Sequence, residues 1–143
     1  KDKDGRYNFD SPEAVNLQEC YETLYKLSTY SPGMEIKIPR YSMKESERVG
    51  YRTIVVPDEK AIIIVEGIFA FHSPLLEMAD FRIFVDPPEE VILARRYKRD
   101  IRERNRTPLG ILRQYPMVIE GYKKYIEPMK CHADIIIDFG ILV

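Results

Sequence analysis

The chain has 143 residues, of which 45% are hydrophobic, and this is enough for one domain with a modest core. Its formal net charge of −1 argues against a general nucleic-acid binder, whose basic excess would cover a whole face. Cys20 and Cys131 are far apart and outside any CxxC pair, so neither a disulfide framework nor a zinc site is indicated. No apolar run is long enough to span a bilayer. We therefore expect a soluble cytoplasmic domain.

The first half of the chain predicts one helix and two strands. Ser11, Pro12 and Glu13 are typical of a helix start, and the apolar stripe that follows ends near Ser28. After a turn, residues 34–38 alternate between apolar and charged, and residues 53–56 form a second short strand pattern. These patterns predict a small antiparallel ribbon that projects from the main body.

The second half alternates between strand and helix patterns. Continuous apolar runs at 61–65, 81–85 and 133–137 are typical of strands buried on both faces of a sheet. Helical patterns lie between them, at 73–78, from about Glu89, and from Leu109 to about Glu127, where Pro116 should kink or break the helix. This order predicts an α/β fold with a parallel sheet and right-handed crossovers.

The most unusual stretch is 94–106, which holds seven basic residues against two acidic ones. Four of its arginines fall at helical spacing on one face: Arg95, Arg99, Arg102 and Arg106. A row of guanidiniums suits a polyanion such as a nucleoside triphosphate, because each presents a fixed fork of donors to phosphate oxygens. The alternative is a solvated, salt-bridged helix face, since Asp100 is four residues from both Arg96 and Arg104.

Three other residues have both a functional and an ordinary interpretation. Glu66, followed by Gly67, ends a predicted buried strand, where it could orient a hydrated Mg²⁺ or simply begin a loop. Asp10 could accept hydrogen bonds from a ribose diol or favour the adjoining helix start. Tyr41 could stack on a base or pack on the ribbon.

Seven segments carry a resemblance that covers nearly the whole chain. They are YNFDSPEA (7–14), IKIPRY (36–41), IIIVEGIFAF (62–71), FRIFVDPP (81–88), RRYKRDIRERNR (95–106), LRQY (112–115) and IEPMKCHADIII (126–137). In this order the chain resembles the uridine kinase branch of the P-loop kinases, which is related to phosphoribulokinase. The resemblance implies a three-layer P-loop NTPase-type parallel sheet with helices on both faces, plus the projecting antiparallel ribbon.

The resemblance also implies an activity and a nucleoside site. The activity is ATP-dependent phosphoryl transfer to the 5′-hydroxyl of a nucleoside, first of all uridine or cytidine. Asp10, helped by Arg96, would bind the ribose hydroxyls, and Tyr41 would lie beside the base. Arg106 and Gln114 would also face the nucleoside.

A second set of residues would serve ATP and Mg²⁺. The resemblance places Arg99, Arg102 and Arg104 in a lid that approaches the ATP phosphates, with Arg99 among the catalytic groups. Glu66 would be the other catalytic residue and would hold Mg²⁺ through water. Phosphoryl transfer depends mainly on positioning and charge neutralisation, which explains a lid rich in arginine.

The chain departs from the family pattern in two ways. It contains neither GxxxxGK[ST] nor the family's Asp-x-Phe-Tyr segment with the general base, so we expect residues 1–143 to be a partial domain of a longer polypeptide. Ser42-Met43 and Ser46 replace the usual Asp-Phe and base-reading His, which leaves the nucleoside open. The alternative function is a catalytically reduced module that binds nucleotides or a partner protein. The resemblance is compatible with a homo-oligomer formed partly through the ribbon.

Overall fold

The computed structural model describes residues 8–42, 45, 47–57, 61–104 and 106–138. Three α-helices and four strands account for most of the regular structure: α1 (Leu17–Thr29), β1 (Glu35–Ser42), β2 (Glu47–Val55), β3 (Ile83–Val85), α2 (Glu89–Arg104), α3 (Pro108–Gly121) and β4 (Ile135–Ile137). Shorter helical turns occupy Pro12–Ala14, Leu76–Met78, Tyr122–Ile126 and Glu127–His132. The α/β class predicted from the sequence is confirmed. Along these described ranges, no helix is both long and apolar enough to cross a membrane.

Helix α1 begins later than the sequence predicts. Its N-cap is Asn16, whose side-chain oxygen accepts a hydrogen bond from the backbone N–H of Glu19 at 3.0 Å. The predicted start at Ser11 forms only a single 3₁₀ turn, because the Ser11 hydroxyl donates to the Glu13 carboxylate and leaves the backbone uncapped. The predicted first residue of the helix was therefore wrong, although its end was close.

The antiparallel ribbon is confirmed, with longer strands than predicted. β1 and β2 pair from Glu35 with Val55 to Ser42 with Glu47, and the register shifts between Arg40 and Tyr41. Such a bulge increases the local twist and turns the side chains that follow it. The side chains at the tip of the ribbon, including that of Tyr41, therefore have a different orientation from those at its base.

The parallel pairing of the second half is confirmed, but on a smaller scale than predicted. β3 and β4 pair over three residues, from Ile83 with Ile135 to Val85 with Ile137. Only Phe84 on these strands is buried, where its ring meets Phe71 edge-on with centroids 5.8 Å apart. The prediction that all three apolar runs are buried on both faces is wrong for the described residues.

Residues 61–65, predicted as a strand, have no strand assignment in the structure. A strand requires a ladder partner, and none of the described strands pairs with this segment. Its side chains are exposed, with Ile62 at 92%. The described sheets have two strands each, so a complete three-layer sheet is not observed.

Helices α2 and α3 contribute part of the core of the second half. Val91 from α2 and Ile111 and Val118 from α3 are buried. Helix α3 continues through Pro116, so a break, one of the two effects predicted for this proline, does not occur. Buried residues on both sides of the proline hold the helix, because helices in proteins depend mainly on packing of the apolar face. The helical path changes instead at Gly121, where five residues form a π turn.

A polar contact fixes this π turn to the end of β3. The Tyr122 hydroxyl donates to Oδ1 of Asp86 at 2.9 Å, and the Lys130 ammonium donates to Oδ2 of the same carboxylate. Lys130 lowers the pKa of Asp86, whereas burial and the bond to Asp86 raise the pKa of Tyr122. The end of α3 therefore has a defined position relative to the carboxyl edge of the β3–β4 pair.

Candidate functional site

Asp10 is a buried carboxylate in the turn that precedes the first 3₁₀ turn. Its backbone N–H donates to the side-chain oxygen of Asn8 at 3.0 Å, which closes the turn. The Asp10 backbone rests on Gly121 at the end of α3, where an added Cβ would lie 2.6 Å from the Asp10 carbonyl oxygen. Glycine is required for this close approach. Asp10 is therefore positioned by α3 as well as by its own turn.

The Asp10 carboxylate pairs with Arg96 of α2. Nη1 of Arg96 donates to Oδ1 of Asp10 at 3.3 Å, and the two side chains are only 15% and 8% exposed. Among the described residues, nothing donates a hydrogen bond to Oδ2 of Asp10, although this oxygen is buried. A buried acceptor without a donor is unfavourable, so this oxygen can accept a hydrogen bond from a ligand hydroxyl.

Asp100 is the second buried carboxylate, and four arginines surround it. We call Arg96, Arg99, Arg104 and Arg106 the arginine cluster. Arg99 donates from Nε and Nη2 to Oδ1 of Asp100 at 3.0 and 2.9 Å. Nη1 of Arg104 lies 3.4 Å from the same oxygen, and Oδ2 lies 3.7 Å from Nε of Arg96 and 3.7 Å from Nη1 of Arg106.

This grouping differs from the helix face predicted by spacing. Helix α2 ends at Arg104, and beyond it the backbone N–H of Arg106 donates to the Asp100 carbonyl at 3.0 Å. The chain therefore turns back and brings the Arg106 side chain toward Asp100. Arg102, by contrast, is exposed on α2 and has no hydrogen bond or ion pair to another described residue. The ion pairs anticipated from the spacing of Asp100 with Arg96 and Arg104 are present.

The polar contacts form one continuous chain. Asp10 contacts Arg96, Arg96 and Arg106 both contact Asp100, and Nη1 of Arg106 donates to the side-chain oxygen of Gln114 on α3. Four of the five residues predicted to face a nucleoside thus lie in a single network. Helices α2 and α3 supply most of it, and the turn at Asp10 supplies the remainder.

The network carries excess positive charge. Four guanidiniums meet two carboxylates, which leaves two positive charges without a partner inside the network. Burial, together with the neighbouring Arg99, lowers the pKa of Arg104, whereas Asp100 raises it. The guanidiniums also have more N–H donors than the carboxylates can accept. This arrangement can bind an anion with several oxygens, such as a phosphate chain.

Tyr41 and Glu66 are not connected to this network by any hydrogen bond or ion pair between described residues. Tyr41 lies at the ribbon bulge with its side chain 49% exposed. Glu66 is also exposed and follows the unpaired segment 61–65. The described ranges contain no group of three acidic, His or Cys residues that could hold a metal ion. The predicted roles of Tyr41 and Glu66 remain predictions.

A cavity of about 310 Å³ lies at the carboxyl edge of the β3–β4 pair, separate from the arginine cluster. Its lining carries four carboxylates, from Asp86, Glu89, Glu127 and Asp138, against one ammonium, from Lys123. Such a lining repels phosphates. The candidate site is therefore the network of Asp10, the arginine cluster and Gln114, rather than this cavity.

Two residues of the site were not among those predicted from the sequence. Asp100 was considered only as part of a salt-bridged surface, although its side chain is 0% exposed. The spacing of Asp100 from Arg96 and Arg104 indicated ion pairs with both arginines, but spacing alone does not show that a side chain is buried. Gly121 gave no signal, because only the tertiary structure shows that the Asp10 backbone rests on it.

Comparison with known proteins places the chain in a family. The family model for "Phosphoribulokinase / Uridine kinase family" matches residues 1–141. The chain belongs to this family. The resemblance seen in the sequence is thereby confirmed.

Similar members of the family include proteins from a slime mould, a bacterium and a plant. The chain is 38% identical over 143 residues to uridine-cytidine kinase A of Dictyostelium discoideum, with 98% of this chain and 28% of that protein covered. It is 36% identical to the uridine kinase of Vibrio atlanticus, with 93% of this chain and 61% of that protein covered. It is also 36% identical to uridine kinase-like protein 3 of Arabidopsis thaliana, with 94% and 28% covered. The chain thus spans between about a quarter and three fifths of these relatives.

Proposed function

We propose that this chain is the nucleoside-binding and lid portion of an enzyme that transfers the γ-phosphoryl group of ATP to the 5′-hydroxyl of a nucleoside. Uridine and cytidine are the proposed first substrates, because the relatives include a uridine kinase and a uridine-cytidine kinase. The observation that carries the proposal is the buried oxygen of Asp10 without a donor, held beside a cluster of arginines with excess positive charge.

The nucleoside end of the site is proposed to be at Asp10. Oδ2 would accept a hydrogen bond from a ribose hydroxyl, while Arg96 holds the other carboxylate oxygen. A hydrogen bond to a charged group contributes about 1.5–3 kcal/mol. Arg106 and Gln114, which are already hydrogen-bonded to each other, would face the same nucleoside. The exposed Tyr41 would lie beside the base.

The phosphate end is proposed to be at Arg99 and Arg104, with the exposed Arg102 on the same helix. Each guanidinium about 4 Å from a phosphate charge contributes roughly 4 kcal/mol at a surface-like dielectric, before desolvation. Glu66 has an exposed carboxylate with no hydrogen bond to another described residue, which fits a site where Mg²⁺ keeps its waters and takes most other ligands from phosphates. Bound Mg²⁺ would neutralise phosphate charge. The finer fold that we propose for the whole protein is the three-layer parallel sheet of the P-loop kinases.

The experiment compares Asp10→Asn with wild type in the full-length protein that contains this chain. Initial rates with ATP are measured for uridine, cytidine, adenosine and 2′-deoxyuridine. We expect the uridine KM of the variant to rise roughly tenfold or more, with little change in the ATP KM. The preference of wild type for uridine over 2′-deoxyuridine should shrink in the variant.

The matched control is Asp134→Asn. Asp134 accepts hydrogen bonds from the backbone N–H and the guanidinium of Arg82 at 2.8 and 3.2 Å, in an exposed ion pair on the β3–β4 sheet. This variant should leave both KM values unchanged. An unchanged uridine KM in Asp10→Asn would contradict the role of Asp10, and an absence of phosphoryl transfer to every nucleoside would contradict the proposed activity.

We also propose that the whole protein forms a homo-oligomer through the ribbon. The ribbon exposes large apolar side chains, namely Tyr41, Val49, Tyr51 and Val55. Exposed apolar patches of this kind mark interaction surfaces. Light scattering should give a mass above that of one subunit, and Val49→Asp should lower it; a monomeric wild type would contradict the proposal.

A further inference from the structure

Asp100 occupies the centre of the arginine cluster and is the only charged residue with a fully buried side chain among the described residues. Its four arginine partners approach from two directions along the chain, before it on α2 and after it toward and beyond the helix end. Removing one partner of a buried ion pair is strongly destabilising, because the remaining charge is left uncompensated. A buried carboxylate in this position therefore constrains the orientation of all four guanidiniums.

These arginines belong to two different ends of the proposed site. Arg96 also holds Asp10, and Arg106 also holds Gln114, both at the nucleoside end. Arg99 and Arg104 belong to the phosphate end. Asp100 therefore contacts arginines of both ends and connects them.

We propose that Asp100 is a positioning residue that couples nucleoside binding to ATP binding, by holding the arginines of both ends in one arrangement. This inference rests on the proposed function and adds to it a thermodynamic link between the two ligands. Asp100 itself would touch neither ligand. Its contribution is the placement of guanidiniums that do.

The hydrogen bonding of Asp100 shows how such coupling could operate. Oδ1 accepts both Arg99 bonds, whereas Oδ2 is buried and accepts no hydrogen bond from a described residue. Arg96 and Arg106 lie near Oδ2, each at 3.7 Å, which is beyond hydrogen-bonding distance. A ligand that moves either guanidinium toward Oδ2 would give this oxygen a hydrogen-bond donor. The position of that guanidinium would then be linked to the position of Arg99, because both would bind the same carboxylate.

Asp100 also affects both ends of the site electrostatically, because its negative charge offsets the repulsion among the four guanidiniums. Burial and the neighbouring arginines lower the pKa of Arg104, and Asp100 opposes them. With Asn at position 100, the size and an accepting oxygen are kept while the negative charge is lost. The mutual repulsion of the four guanidiniums would then no longer be offset by the carboxylate charge, and they would spread apart.

The test measures uridine affinity with and without a non-hydrolysable ATP analogue, AMP-PNP, in the full-length protein. In wild type we expect AMP-PNP to tighten uridine binding roughly fivefold or more, which is the lower end of typical coupling between sites. In Asp100→Asn we expect this ratio to fall close to one, and the affinity for AMP-PNP alone to fall as well. Because linkage is reciprocal, uridine should tighten AMP-PNP binding by the same factor in wild type.

Asp100→Glu distinguishes an effect on the placement of the arginines from an effect on the stability of the fold. It keeps the charge but adds a methylene to a buried site, so it should reduce the melting temperature while retaining more coupling than Asp100→Asn. The Asp134→Asn variant should keep the wild-type ratio. A wild-type ratio preserved in Asp100→Asn would overturn the inference.

The test also distinguishes this inference from the proposed function. If wild type binds both ligands independently, with a ratio of one, the coupling is refuted and the nucleoside kinase proposal stands. If wild type binds no uridine at all, the proposed function fails and the coupling fails with it. If Asp100→Asn does not fold, Asp100→Glu decides: a coupling weaker than wild type in the folded variant supports the inference, and a coupling equal to wild type overturns it.

Discussion

The contact between Gly121 and the Asp10 backbone makes Gly121→Ala an informative perturbation. Gly121 is buried at the end of α3, and an added Cβ would lie 2.6 Å from the Asp10 carbonyl oxygen and 3.1 Å from the Asp10 Cβ. Real Cβ atoms essentially never approach other atoms to less than 3.0 Å, and the nearer atom here belongs to the backbone. The Asp10 turn must therefore move away from α3.

The size of the displacement follows from the contact distance. Ordinary contact for a Cβ begins near 3.4 Å, so the carbonyl oxygen must retreat by roughly 0.8 Å. The hydrogen bond from Arg96 to Asp10 is already 3.3 Å long, and a shift of this size directed away from Arg96 would break it. Overpacking costs about 1–3 kcal/mol, and the better helix propensity of alanine offsets about 1 kcal/mol of that.

The assay separates the effect on the site from the effect on stability. A displaced Asp10 would lose a charge-assisted hydrogen bond to the nucleoside, so the uridine KM should rise roughly ten- to hundredfold while the ATP KM changes little. The matched control is Gly110→Ala in the same helix, where the added Cβ would lie 2.9 Å from the hydroxyl of the N-cap Thr107. It gains a similar helix propensity and disturbs a cap worth about 1 kcal/mol, about 16 Å from Gly121 along α3. Equal uridine KM values in the two variants would refute the reasoning.

Three further predictions concern stability, measured by urea unfolding. Because Lys130 lowers the pKa of Asp86 below its ordinary 3.8, the Asp86 carboxylate stabilises the fold above that pH, and the contribution is lost as the pH falls through the lower folded-state pKa. Asp86→Asn should therefore cost about 1 kcal/mol at pH 7 and progressively less below pH ~4; a constant difference would contradict this. Asn16→Ala should cost about 1 kcal/mol by loss of the α1 cap, whereas Asn16→Asp keeps an accepting oxygen, and equal losses would refute the capping role. Ile111→Ala in the core should cost about 2–5 kcal/mol, far more than Leu112→Ala on the exposed side of α3, and similar losses would place the core elsewhere.

Much of the local structure could be predicted from the sequence because its signals are local. The alternating pattern around Ile36 indicated the ribbon, and the arginine-rich stretch indicated α2 from Glu89. The start of α1 could not be predicted in this way, because Ser11 and Asn16 are both good capping residues and only the folded chain shows which one accepts a backbone hydrogen bond.

The sequence by itself determined the family, the α/β class and the residue types of the site, because ordered motifs and periodic patterns can be read along one dimension. Tertiary structure decided how those residues meet. It buried Asp100, brought Arg106 back toward it beyond the helix end, and rested Asp10 on Gly121. It also left residues 61–65 exposed and without a strand partner, contrary to the expectation from their composition. Burial and strand pairing depend on segments that are distant along the chain, and for this reason the residues of one segment alone cannot specify them.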